Sequence, residues 1–149
     1  MAIGDICIRD VVYTGRDTTV QAAAKLMRHY HVGSLVVVDY FEGKRVPIGI
    51  VTDRDIVVEV IATELDPKVL TVGDIMATDL ITASEGQGVL ETIEVMRFKG
   101  VRRLPVVDQE NRLVGIVAID DVLEVLAEEM SDLTRIVSRE QARETQSRV

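Results

Sequence analysis

Apolar positions along this chain fall into short β-branched runs set between stretches of helical spacing, and the pattern occurs twice. "SLVVVD" and "IGIVT" read as strands joined by the polar link "YFEGKR". "RLPVVD" and "LVGIVA" read as strands joined by "QENR". A β-branched run, a polar link and a second run is the signature of a hairpin. Helices are expected ahead of each hairpin, over 19–30 and 88–99. Val20, Ala23, Ala24 and Met27, and then Val89, Ile93 and Met96, recur there at helical intervals. A shorter first strand is expected near 10–13 and 79–82, and a last helix starts near Asp53 or Asp120. The valine runs are nearly continuous rather than alternating, which predicts strands covered on both faces.

A shift of 69 residues lays one half on the other. Gly4, Asp5, Ile6 and Asp10 meet Gly73, Asp74, Ile75 and Asp79; Val32, Leu35, Val37, Val38 and Asp39 meet Val101, Leu104, Val106, Val107 and Asp108. Past Asp39 the first half carries three extra residues, after which "IGIVTDRDIV" falls on "VGIVAIDDVL". The chain is an internal duplication. The expected fold class is α/β (α+β): two βαββα repeats packed about a pseudo-two-fold axis. The repeats are expected at 4–63 and 73–130, with 64–72 as linker and 131–149 as a C-terminal helix extension and polar tail. One repeat of about 60 residues is marginally stable alone, so the two are expected to bury each other's sheets.

Composition narrows the function. Apolar residues are 47% of the 149, but aromatics are 3% and Trp is absent, so the core must be aliphatic. A net charge of −8 argues against non-specific nucleic-acid binding and against anionic membrane surfaces. The single cysteine, Cys7, has no intramolecular disulfide partner, which suits a reducing cytoplasm. No apolar run approaches the roughly 18 residues of a membrane span, and "MAIGDICIRDVV" has no secretory pattern.

The stretch "GIVTDRD" has two readings. Thr52 and Asp55 have the spacing of a capping box, N-cap and N3 of a helix. A hydroxyl and a carboxylate at the top of a strand also suit a phosphate and a ribose. An ionised carboxylate only accepts hydrogen bonds, so it matches a diol with two donors. Positions 4–130 resemble a tandem pair of cystathionine-β-synthase (CBS) domains, a Bateman module, through "VGSLVVVD…GIVTDRDIV" and "VRRLPVVD…GIVAIDDVL". The resemblance implies a stand-alone CBS protein that binds an adenosine nucleotide (AMP, ADP or ATP) between its repeats as a regulatory ligand. It implies a second copy, in a homodimer, and an unknown effector protein as partners, with energy sensing as the role. NAD and S-adenosylmethionine are less favoured ligands, and no cofactor is required. No phosphate loop or nucleophile–base arrangement stands out, so no enzyme is expected.

By the same resemblance, Thr52 contacts phosphate and Asp55 the ribose, with Arg102 and Arg103 across the cleft and Arg54 adding charge. Met76, Asp79 and Ile81 border the base. The second cleft departs from the pattern: Ala118 replaces the hydroxyl residue, Asp121 remains, and Gly33 and Ser34 stand where the other cleft has two arginines. Asp10 and Val12 border its base position. This cleft is expected to be weak or empty, with Arg9 and Arg16 as candidates for partial rescue. His29 and His31 are two apart on a helix and face different directions, so no metal site is expected. Cys7 falls on Met76 in the duplication, which marks an apolar packing position. Val122, Leu126, Met130, Leu133 and Val137 form a stripe on a long last helix. Either a homodimer or the chain's own module should cover it. The polar residues from Ser138 are expected to fray.

Overall fold

The computed structural model describes residues 1–148 and contains no cis peptide bond. Helix α1 (Ile3–Ile6) leads to strand β1 (Tyr13–Gly15), helix α2 (Val20–Tyr30), the hairpin β2 (Ser34–Phe41) and β3 (Lys44–Thr52), and helix α3 (Asp53–Ile56). A single wider turn of π-helix, Val57–Ile61, extends α3. The order then repeats with α4 (Val72–Ile75), β4 (Ala83–Ser84), α5 (Val89–Lys99), β5 (Arg103–Val107), β6 (Leu113–Ala118) and the long α6 (Ile119–Ser147). Two three-stranded sheets result, ordered β1-β2-β3 and β4-β5-β6. In each, the first pair is parallel and the hairpin antiparallel.

Local chemistry explains the elements. Thr19 caps α2 by accepting the Ala22 N–H at 3.2 Å, and Gly100 ends α5 in the left-handed region at φ 67°. The β2–β3 turn places Glu42 and Gly43 at φ 52° and 77°, the paired left-handed conformations of a tight hairpin turn. In the β5–β6 link, Asp108 Oδ1 accepts the N–H of Glu110 and of Arg112, both at 2.9 Å, while the Arg112 guanidinium reaches Oδ2 at 2.8 Å. Backbone hydrogen bonds from Arg112 lead in holding this carboxyl below the usual carboxylate range. Leu35 to Val38 and Leu104 to Val107 are all buried, as continuous valine runs require.

The two repeats exchange their leading segments. Ile3 lies in the aliphatic core of β4–β6 with Val89, Met96, Leu104 and Val117, and Ile6 and Cys7 pack on that core. Val72 lies in the core of β1–β3 with Ala23, Met27, Leu35 and Val51, and Ile75 and Met76 pack there. Ile8 pairs with Ile116 and Ala77 with Ile50 in antiparallel bridges. A third cluster, Val36, Val38 and Leu113, joins the sheets.

Three expectations need correction. The first strands begin at Tyr13 and Ala83, not near 10 and 79; the chain bridges the opposite repeat at Ile8 and Ala77 and reaches its own sheet only several residues later. Ala24 is exposed; α2 turns Val20, Ala23 and Met27 inward instead. The residues from Ser138 do not fray but continue α6 to Ser147. Glu, Gln, Arg and Ala in that stretch are good helix formers, and Arg148 closes an ion pair with Glu144 at 2.7 Å. The short helices α1 and α4 were not anticipated, being too brief to show periodicity. The stripe on α6 splits: Val122 is buried, while Leu126, Met130, Leu133 and Val137 are exposed, so the module does not cover its outer part.

Gly49 and Gly115 make the exchange possible. A Cβ at Gly49 would sit 2.8 Å from Met76 Sδ and 2.9 Å from the Ala77 carbonyl oxygen. One at Gly115 would sit 2.6 Å from Cys7 Sγ and 3.0 Å from the Ile8 carbonyl oxygen. The sulfur can move, but the bridged backbone cannot. Gly49→Ala is therefore expected to cost about 1–3 kcal/mol, the range for overpacking. Urea unfolding of the variant measures it, and an unchanged midpoint would contradict this account of the contact.

Candidate functional site

The exchange leaves two clefts, each lined by residues of both repeats. The first has a volume of about 270 Å³ and is lined by Ile50, Thr52, Asp55, Ala77, Asp79, Leu80, Ile81, Val101, Arg102, Arg103 and Leu104. The second has about 280 Å³ and is lined by Ile8, Asp10, Val11, Val12, His31, Val32, Gly33, Ser34, Arg103, Ile116, Ala118 and Asp121. The space is nearly equal, and the difference lies in the chemistry of the walls.

In the first cleft β3 delivers Thr52 to the wall and α3 delivers Asp55. The capping box is complete: Asp55 N–H donates to Thr52 Oγ1 at 3.1 Å, and Thr52 N–H donates to Asp55 Oδ2 at 2.9 Å. Asp55 keeps its second oxygen, Oδ1, without a hydrogen-bond donor among the described residues. One carboxylate can thus cap the helix and still accept from a ligand. Opposite stand Arg102 and Arg103, at the start of β5, both exposed. Among the described residues neither guanidinium has an ion-pair partner, whereas Arg9 and Arg16 are both paired. Unpaired guanidiniums beside an apolar wall suit phosphate oxygens, which they can hold bidentately.

The hairpin and helix starts are tied together the same way in both repeats. Asp53 N–H donates to the Gly33 carbonyl and Ile119 N–H to the Arg102 carbonyl, each at 2.9 Å. The second cleft keeps half of the box: Ala118 N–H donates to Asp121 Oδ2 at 2.8 Å, and no hydroxyl returns the bond.

Six of the eight residues expected at the first cleft line it: Thr52, Asp55, Asp79, Ile81, Arg102 and Arg103. Arg54 and Met76 do not. Arg54 is exposed on the outer side of α3, and Met76 is spent packing over Gly49. All six expected at the second cleft, Asp10, Val12, Gly33, Ser34, Ala118 and Asp121, line it. Arg9 and Arg16 do not reach the second cleft. Arg9 is held by Glu85 at 3.4 Å and the Gly4 carbonyl at 2.8 Å, and Arg16 pairs with Asp39 at 3.2 Å. The basic groups there are His31 and Arg103 instead. Neither had been foreseen in that cleft, because both enter it only through the exchange geometry. Ile50, Ala77, Leu80, Val101 and Leu104 were also missed; the Ile50–Ala77 bridge that aligns them has no signature in either segment alone. Cys7 is an apolar packing residue, and burial raises its thiol above the ordinary value. Among the described residues no group of three or more His, Cys, Asp or Glu is placed to hold a metal. No helix among them is long and apolar enough to cross a membrane.

A pair of exchanged βαββα repeats enclosing two clefts defines a tandem ligand-binding module. The CBS domain family model matches residues 3–62 and 72–128, and the chain belongs to the CBS domain family. It is 34% identical over 121 residues to the CBS domain-containing protein YhcV of Bacillus subtilis, covering 81% of this chain and 82% of that one. It is 38% identical over 125 residues to the uncharacterized protein MK0525 of Methanopyrus kandleri, covering 84% of this chain but 62% of that one. A 38% match to the inosine-5'-monophosphate dehydrogenase of Methanocaldococcus jannaschii covers 80% of this chain and only 22% of the enzyme. Among solved structures, the CBS domain pair of protein MJ0100 in complex with 5-methylthioadenosine and S-adenosyl-L-methionine superposes with a TM-score of 0.74 at 27% identity, covering 87% of this chain and 98% of that one.

Thr52→Ala is expected to lower stability by about 0.5–2 kcal/mol through the lost cap. Ala118→Thr, which completes the second box, is expected to raise it. Thermal unfolding of both variants checks the pair. A stable Thr52→Ala protein would show that the hydroxyl does no capping.

Proposed function

We propose that this chain is a regulatory ligand-sensing module that takes an adenosine nucleotide (AMP, ADP or ATP) in the Thr52–Asp55 cleft and signals to an effector protein by conformational change. The observation that carries the reading is the pair of unpaired guanidiniums, Arg102 and Arg103, facing Thr52 and Asp55 across one cavity. The adenosyl ligands of the MJ0100 domain pair support an adenosine-type guest. Two arginines favour an anionic phosphate over a cationic sulfonium compound such as S-adenosylmethionine, and NAD stands behind the mononucleotides. Thr52 and Arg102 hold phosphate, Asp55 Oδ1 accepts from the ribose diol, and Asp79 and Ile81 border the base. The reading assigns binding, not turnover. Ligand shifts the repeats only in so far as it binds one arrangement better than another.

The complete capping box accounts for Thr52 and Asp55 without a ligand as well, which leaves a second reading, a ligand-free homodimeric scaffold. Isothermal titration of AMP, ADP, ATP, NAD and S-adenosylmethionine separates the two. The sensor reading expects nucleotide binding in the micromolar range, about −8 kcal/mol. It also expects at least a tenfold loss in Asp55→Asn, whose remaining oxygen cannot serve cap and ribose together. No heat with any of these ligands would favour the scaffold.

Both readings include a homodimer built on the outer part of α6, where Met130, Leu133, Ile136 and Val137 are each more than half exposed. Met130→Asp with Leu133→Asp is expected to convert the protein to monomer in sedimentation velocity without unfolding it, since neither side chain contributes to the buried core. A wild-type monomer at high micromolar concentration would rule out this interface.

A further inference from the structure

Arg103 lines both clefts, and it alone among the lining residues does so. It opens β5 opposite Ala118, the last residue of β6, and Ala118 itself lines the second cleft. The consequences for the clefts are unequal. The first sets Arg102 as well as Arg103 against its own two carboxylates, Asp55 and Asp79, so it retains a permanent cation when Arg103 turns away. The second has two carboxylates, Asp10 and Asp121, with His31 as its only other basic group. Without Arg103 its two carboxylates outnumber its one remaining basic group and disfavour an anion, and no arginine is left in it. Resting on the nucleotide reading above, we propose that Arg103 is shared between the clefts, so that a phosphate-bearing ligand in the Thr52 cleft and one in the Asp121 cleft compete for the same guanidinium. An anion in the first cleft draws Arg103 to itself and takes from the second its one fixed positive charge. Repulsion between two anions that approach one side chain has the same sign. Coupling between the sites is therefore negative, and by linkage it is reciprocal.

The test is a two-probe titration of the full chain followed by amide chemical shifts. Gly33 and Ser34 report the second cleft, and Ala77 and Val101 the first. The probes are AMP and inorganic pyrophosphate, so that the sharing of Arg103 is read even if the nucleoside assignment is wrong. In the wild type, the first-cleft amides are expected to saturate early. The second-cleft amides should move only at tenfold or more higher probe concentration. Arg102→Ala is expected to weaken the first cleft and to tighten the second, because Arg103 is released to it. Arg103→Ala is expected to weaken the first cleft and to abolish shifts at Gly33 and Ser34; Arg103→Lys should restore part of both. Pyrophosphate coupling without AMP binding would overturn the nucleotide reading and leave the sharing intact. Second-cleft binding that persists in Arg103→Ala, or that is unaffected or strengthened by filling the first cleft, would overturn the sharing.

Discussion

Each repeat binds the leading segment of the other through paired backbone bridges, Ile8 with Ile116 and Ala77 with Ile50. The rest of the architecture depends on that exchange. It places Ile3 in the second repeat's core and Val72 in the first's, so neither core is complete without residues from the opposite half. It requires glycine at 49 and 115, where the crossing backbone lies too close for a side chain. It also forms the clefts, because the segment that crosses over β3 continues into the Asp79–Ile81 wall facing Thr52 and Asp55.

A duplicated scaffold gives two spaces of similar volume, about 270 and 280 Å³, and substitution makes them different. The first retains a hydroxyl at the strand end and gathers two guanidiniums that have no ion-pair partner among the described residues. The second has Ala118 where the hydroxyl was and Gly33 and Ser34 where the arginines were. The capping box and the proposed ligand contacts use different atoms of the same carboxylate. Asp55 Oδ2 serves the backbone and Oδ1 stays open, so one residue satisfies the helix start and still faces the cavity. The two explanations of "GIVTDRD" are therefore compatible.

Much of this was legible in the sequence because duplication supplies a second copy of every signal. The hairpins, α2, α5 and the starts of the last helices follow from continuous valine runs, helical spacing and capping residues. The grouping of Thr52 with Arg102 and Arg103 needed the family resemblance, since no local pattern joins residues 50 apart. What stayed hidden depends on the crossing. The first strands begin late because the chain first bridges the opposite repeat at Ile8 and Ala77, Met76 packs over Gly49, and Arg103 reaches a second cavity. Arg9 and Arg16 had the right charge but are held by Glu85, Gly4 and Asp39. The tail of α6 was misjudged because its polar composition reads as loop, while its propensity is helical.

The central claim is that the Thr52 cleft is the ligand site and that its chemistry, not its volume, makes it so. A crystal structure of the protein grown with AMP tests this most directly. The account predicts the ribose hydroxyls within hydrogen-bond distance of Asp55 Oδ1 and the phosphate against Thr52 and Arg102. Nucleotide density confined to the Asp121 cleft, or a ribose turned away from Asp55, would contradict it.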